Sequence, residues 1–129
     1  MNALNLFLGI NGSIFLIVGL RGLLSPIDTV AVPFGLQVSG IDGKNYLRSG
    51  TGGVSAAGGI LLLAAIWIPK LHLAAVVLVV TMLGGLVAGR LYSRVVDGSP
   101  GMIPWISGFF ELLGLAFGVG WLNILWSVS

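Results

Sequence analysis

Four long segments with almost no charged residues constrain most strongly what this chain can fold into. They cover about residues 4–24, 45–68, 71–92 and 103–126. A helix needs about 20 mostly apolar residues to cross the roughly 30 Å hydrocarbon core of a bilayer. Charged residues make up 8% of this chain, whereas they make up about 25% of a soluble domain. The sequence therefore predicts an all-α integral membrane protein.

The four spans predict a four-helix bundle built from two antiparallel hairpins, as a single transmembrane domain of residues 1–129. An even number of spans places both termini on the same side of the membrane. The turn at Pro69-Lys70 is very short, which makes spans two and three antiparallel neighbours. No Lys or Arg precedes the first apolar run, so it is predicted to be a span rather than a cleaved signal peptide.

Residues 25–45 form the longest predicted loop. Its middle part is too apolar for a freely solvated loop, so we expect it to lie on the membrane surface or to fold back over the bundle. Pro33 makes a long helix there unfavourable, because proline lacks the backbone N–H that a helix interior requires.

Small residues recur at four-residue spacing along the predicted spans. In lipid, helices associate through close backbone approach and interhelical hydrogen bonds, and small residues permit this approach. Span two carries the densest set, so we expect it to be the central helix. The residues predicted to pack against neighbouring helices are Ala57, Gly59, Gly85, Gly89, Gly114 and Gly118.

The beginning of span two has a second interpretation, as an anion site. Free backbone N–H groups at a helix N-terminus attract anions, and Arg48 would add a positive charge. A phospholipid head group or an acidic small molecule would fit such a site. The residues predicted to form it are Ser49, Gly50, Thr51, Gly52 and Gly53.

Glu111 is the most informative single residue, because it lies about eight residues, or roughly 12 Å, into span four. A carboxylate at that depth needs a partner, and the topology offers Arg48 or Arg90. The spacing of Arg94 and Asp97 aligns them with Arg90 on one helical face. Two interpretations stay open for this cluster: an ion pair that fixes the arrangement of the helices, or a site that binds a ligand or partner.

Several other classes of site lack the residues they need. The chain has no cysteine and one histidine, which excludes disulfides, thiolate metal sites and a histidine-rich metal site. His72 is expected to face water at the membrane interface, with no orienting carboxylate nearby, so no catalytic residue is predicted. A net charge of +2 without a basic run gives no basis for nucleic-acid binding. No cofactor is predicted, but the sequence is compatible with a bound lipid.

Several short motifs together resemble a known family. They are Tyr46-Leu47-Arg48-Ser49-Gly50, the pairs Gly52-Gly53 and Gly58-Gly59, Gly89-Arg90 with Ser93, Asp97-Gly98-Ser99-Pro100, and Glu111 on the last helix. The sequence is similar to domain-of-unknown-function family 4345, which comprises small bacterial four-span membrane proteins. The resemblance covers nearly the whole chain. It implies the four-span fold and groups Arg48, Arg90, Asp97 and Glu111 into one site, but it implies no particular activity.

The sequence leaves three functional hypotheses. The leading one is an accessory or scaffold subunit that packs against other membrane proteins or against copies of itself. The alternative is a protein that binds a lipid or a small anionic amphiphile through Arg48, Arg90 and Glu111. The third is a small membrane enzyme or transporter that acts as an oligomer.

The predicted location is the bacterial cytoplasmic membrane or a specialised internal membrane, with membrane lipids as partners. The distribution of Lys and Arg places the two charged loops in the cytoplasm. The family resemblance implies the opposite orientation, with cytoplasmic termini. The sequence does not decide between these two orientations.

Overall fold

The computed structural model describes residues 2–128, and within this part of the chain the fold is all-α, without strands. Four segments are long and apolar enough to cross a membrane. This confirms the predicted all-α membrane fold with four spans. The α-helices are α1 (Ala3–Leu24), α2 (Gly40–Tyr46), α3 (Val54–Trp67), α4 (His72–Val96) and α5 (Met102–Ser127).

The second span is longer than predicted, because the chain is already helical from Gly40. α2 continues into a π-helical segment, Leu47–Gly53, which continues into α3. The whole span therefore covers Gly40–Trp67 rather than residues 45–68. Gly40 begins it with a φ of 75°, a left-handed conformation that glycine adopts without steric cost. The prediction placed the start of this helix too late because Asp42-Gly43 resembles a turn signal.

The connection between the first two spans is correspondingly shorter and consists of single turns. A π-helical turn, Ile27–Ala31, is followed by a 3₁₀ turn, Val32–Phe34. Gly35 ends the second turn with a φ of 67°. The structure has no long helix here, as Pro33 predicts.

The chain forms two compact units, one up to Pro69 and the other from Lys70 onward. In the first unit, α1 packs antiparallel to α3 and to the π-helical segment. The backbones come unusually close along this contact. A methyl group added at Gly19 would lie 2.2 Å from the Ala56 backbone nitrogen, and one added at Gly59 would lie 2.5 Å from that of Leu16. Neither position has room for a side chain.

Gly59 thus lies on the packing surface between helices, where the sequence places it, whereas Ala57 is exposed. The buried row of the second span passes instead through Gly52 and Ala56. On α1 the opposing row, which the sequence analysis missed, consists of Gly12, Gly19 and Gly22. These glycines are seven and three residues apart, a spacing that places them on one helical face.

The second unit is the antiparallel pair of α4 and α5. The two helices are joined by a short turn in which Gly98 adopts a φ of 99°. Gly118 is buried and Gly114 is half-buried, but Gly85 and Gly89 are exposed. A methyl group added at either exposed glycine would meet no atom within 4 Å. Within the second unit, neither glycine packs against the partner helix and both border an open groove, so their packing against another helix stays a prediction.

Candidate functional site: a groove beside the Arg90–Glu111 pair

Arg90 and Glu111 form a bidentate ion pair between α4 and α5. Nε of Arg90 donates to Oε2 of Glu111 at 2.5 Å, and Nη2 donates to Oε1 at 2.7 Å. Gly108 makes this geometry accessible, because its missing side chain leaves room for Cδ of Arg90. Of the two partners predicted for Glu111, the structure pairs it with Arg90. Glu111 thereby compensates the charge of Arg90 within the second unit.

Arg94 lies in the last turn of α4 and Asp97 directly follows the helix, but they do not pair with each other in the described residues. Oδ2 of Asp97 accepts a hydrogen bond from the Ser93 hydroxyl at 2.8 Å. The backbone N–H of Asp97 donates to the Ser93 carbonyl at 2.7 Å and ends the helix. Asp97 is therefore held locally, and the Arg94 side chain contributes to the wall of the groove.

Arg48 contacts the C-terminal end of α1. Its guanidinium donates a hydrogen bond to the Leu23 carbonyl oxygen in the last turn of α1. The last carbonyls of a helix lack partners within the helix, and basic side chains commonly supply them. The Thr29 hydroxyl donates to the Arg21 carbonyl at 3.0 Å, in addition to the Ser25 N–H. Arg48 belongs to the first unit and Arg90 to the second, so their predicted grouping into one site stays a prediction.

The predicted anion site at residues 49–53 rests on a wrong premise. These residues are in the middle of a continuous helical span, not at its start. Their N–H groups therefore bond to carbonyls of the preceding turn, as the Val54 N–H does to Ser49. The Ser49 hydroxyl is also engaged, by the Asn45 carbonyl at 2.9 Å. No row of free N–H groups remains at Ser49, Gly50, Thr51, Gly52 and Gly53 to bind an anion.

A groove of about 640 Å³ opens along one side of the α4–α5 pair. Its size is in the range of pockets that hold small molecules, roughly 300–1,000 Å³. The exposed glycines form part of its wall, and Ser93 is the uncharged polar side chain beside the arginines. The groove is lined by residues 85–87, 89–91, 93, 94, 100, 104, 105, 108, 109 and 112.

The groove changes from polar to apolar along its length. Arg94 lies near the end of α4, and Trp105 lies near the start of α5, where tryptophan commonly marks a membrane interface. Gly85 and Leu86 line the other end, with Leu112 opposite on α5. From Arg94 to Gly85 is nine residues, which is about 13 Å along a helix. The groove therefore extends from a cationic end near the C-terminus of α4 to an apolar end near the middle of this helix.

The described residues offer no comparable arrangement for a metal. Within residues 2–128 no three His, Cys, Asp or Glu side chains come together in a way that would hold an ion. His72 also differs from its predicted water-facing position, since its Nε2 atom is buried and has no hydrogen-bond partner among these residues.

Comparison with protein families matches residues 3–122 to the family described as a domain of unknown function, DUF4345. The match spans nearly the whole chain. The chain belongs to this family. Its description names no activity, so the family supports the membrane-helical fold without assigning a reaction or ligand to the groove. No curated protein and no solved structure matches the chain.

Several residues that line the groove were missed by the sequence analysis. Pro104 and Phe109 are two of them. Pro104, Gly108 and Leu112 follow one another at four-residue spacing, and Phe109 lies four residues after Trp105. This periodicity marks one face of α5, but in an apolar span a face of this kind usually packs against a neighbouring helix. Gly85 and Gly89 on α4 are exposed opposite this face, so the face borders a groove and not a packed interface. The structure is needed to see this arrangement.

Proposed function

We propose that this DUF4345 protein is a non-catalytic membrane protein that binds one anionic amphiphile in the α4–α5 groove. The observation that carries the proposal is the polarity gradient of the groove, with Arg94 at the interface end and Gly85 and Leu86 at the deep end. An amphiphile has the same gradient along its own length. Its charged head would lie at Arg94 and its chain along the exposed glycines.

Selectivity in this groove has to come from the polar end. Lipid tails are as apolar as leucine, so an acyl chain gains little by exchanging lipid for an apolar groove. A guanidinium in contact with an anionic head group forms a charge-assisted hydrogen bond, which is about twice as strong as a neutral one. Trp105 and Phe109 would then orient the chain rather than supply most of the affinity.

We propose as a second function that the protein is an accessory or scaffold subunit of a larger membrane assembly or of a homo-oligomer. α5 supports this idea, because only 6% of its most apolar window is buried, against 22–33% in the other three spans. Large aromatic side chains are exposed along it, including Phe110 and Phe117. A partner helix in the bilayer would find an extensive apolar surface there. The two functions are compatible, since a bound amphiphile is able to fill the groove within an assembly.

Native mass spectrometry tests the first proposal with three single-chain probes: hexadecyl sulfate, hexadecyl phosphate and the neutral hexadecyl glucoside. The wild-type protein is expected to retain one molecule of an anionic probe and to release the neutral probe. Arg94→Gln should weaken retention about tenfold or more, because hydrogen bonds to charged groups contribute about 1.5–3 kcal/mol and each 1.4 kcal/mol is a factor of ten.

Lys70→Gln is the matched control, since it removes one positive charge from an exposed residue outside the groove. Equal weakening by both substitutions, or no retained anionic probe in the wild type, would contradict amphiphile binding. The same spectra test the second function through the mass of the particle. Protein that occurs only as a monomer without another subunit would argue against an accessory or scaffold role.

A further inference from the structure

We infer that Glu111 makes the groove selective for head groups that carry a single negative charge. This inference rests on the proposed function, because it specifies which anionic amphiphile the groove accepts. Glu111 acts as an internal anion that forms an ion pair with Arg90, one of the two arginines of the groove. The ligand class that follows is a single-chain amphiphile with a monoanionic head.

Two arginines and one carboxylate bonded to Arg90 determine the charge of the site. The groove is lined by two guanidinium groups, those of Arg90 and Arg94. Glu111 provides one carboxylate at 2.5 Å from Arg90. Neither acid lines the groove itself: Glu111 pairs with Arg90, whereas Asp97 accepts the hydrogen bond from the Ser93 hydroxyl and forms an ion pair with neither arginine among residues 2–128. Arg94 is therefore the groove arginine whose positive charge no carboxylate pairs with in this part of the chain.

The geometry of the Arg90–Glu111 pair leaves Arg94 as the arginine available to a ligand. Both oxygens of Glu111 contact the guanidinium through Nε and Nη2, which is the fork arrangement that an external carboxylate or phosphate would adopt. The edge of Arg90 best suited to a ligand is therefore already occupied. Arg94 forms no ion pair with a carboxylate among residues 2–128, so its guanidinium is the cation left for the head group.

A second negative charge on the head group is unfavourable in this groove. A monoanion at Arg94 brings the charge of the groove to zero. A dianion leaves one negative charge beside Glu111, in a partly dehydrated site where charges interact more strongly than in water. The pair therefore discriminates against dianionic head groups by charge, even when their shape and size are the same.

Hexadecyl sulfate and hexadecyl phosphate test this directly, because both head groups are tetrahedral and both chains are identical. At pH 8 the phosphate monoester is mostly a dianion, since its second pKa is about 6, while the sulfate stays a monoanion. In native mass spectrometry at this pH, the wild type is expected to prefer the sulfate about tenfold. Glu111→Gln, which keeps the size of the side chain and removes its charge, should reverse or abolish that preference.

The double variant Arg90→Gln/Glu111→Gln is the matched control. It removes both charges of the pair and leaves Arg94, so it should keep the wild-type preference for sulfate. This variant also keeps the inference testable if Glu111→Gln alone does not fold. A wild-type preference for phosphate, an unchanged ratio in Glu111→Gln, or a lost preference in the double variant would overturn the inference. Failure of the wild type to bind either anionic probe would instead refute the proposed function.

Discussion

Replacing Gly19 by leucine is expected to prevent the first unit from forming its native helix pair. A methyl group at this position would lie 2.2 Å from the backbone nitrogen of Ala56, and 2.6 Å from its Cα. Backbone atoms cannot move aside as a flexible side chain does, so the two helices would have to separate. Overpacking of a core usually costs about 1–3 kcal/mol, and we expect the upper end here because the clash is with backbone.

Thermal unfolding of the purified protein in mild detergent measures this effect. The control is Gly50→Leu, which adds the same side chain to the second span at a position with no atom within 4 Å of the new Cβ. We expect Gly19→Leu to lose most of its folded protein and Gly50→Leu to behave like the wild type. If both variants unfolded at the wild-type temperature, the close α1–α3 packing would be incorrect.

Removing one partner of the Arg90–Glu111 pair is the second large effect that we expect. Arg90→Leu leaves Glu111 without its two hydrogen bonds inside a membrane span. Removing one member of a buried pair typically costs about 3–5 kcal/mol, because an uncompensated charge is left behind. The Arg90 and Glu111 side chains are 30% and 15% exposed, so we expect about 3 kcal/mol, at the lower end of this range.

A double-mutant cycle separates the pair from its surroundings. Arg90→Leu/Glu111→Leu should recover most of the lost stability, because it leaves no unpaired charge and places apolar side chains in an apolar environment. The free energies of unfolding of the wild type, both single variants and the double variant give the coupling energy. Additive effects of the two single substitutions would mean that the side chains do not interact.

The sequence predicted Glu111 as a paired residue for a physical reason that needs no structure. A carboxylate about 12 Å along a span has few alternatives to an arginine partner. The antiparallel order of the predicted spans reduced the candidates to Arg48 and Arg90. The structure pairs Glu111 with Arg90, whereas the Arg48 guanidinium donates to the carbonyl of Leu23. That contact joins residues 25 positions apart, and no local pattern indicates it.

The π-helical segment was not predictable for a related reason. Leu47–Gly53 contains three polar or charged side chains and three glycines, which in most contexts would begin or interrupt a helix. Here the segment packs against α1, with Gly52 close to the backbone of Leu23. Tertiary contact therefore overrides local propensity, and the helix starts at Gly40 instead of within this stretch.

The spacing of small residues predicted candidate faces but not whether another helix covers them. Gly59 and Gly89 both belong to rows with four-residue spacing. The first lies against the backbone of α1, and the second borders the groove. The difference depends on which residues lie opposite each row, and this is a property of the folded chain.

The most direct test of amphiphile binding fills the groove and leaves its charges in place. Gly89→Leu adds a large side chain to the groove wall without a clash, since no atom lies within 4 Å of the new Cβ. Gly120→Leu is the matched control on α5, equally free of contacts and outside the groove. Binding of the preferred anionic probe should be lost in Gly89→Leu and retained in Gly120→Leu, with both proteins folded. Equal binding by both variants would contradict the placement of the amphiphile in this groove.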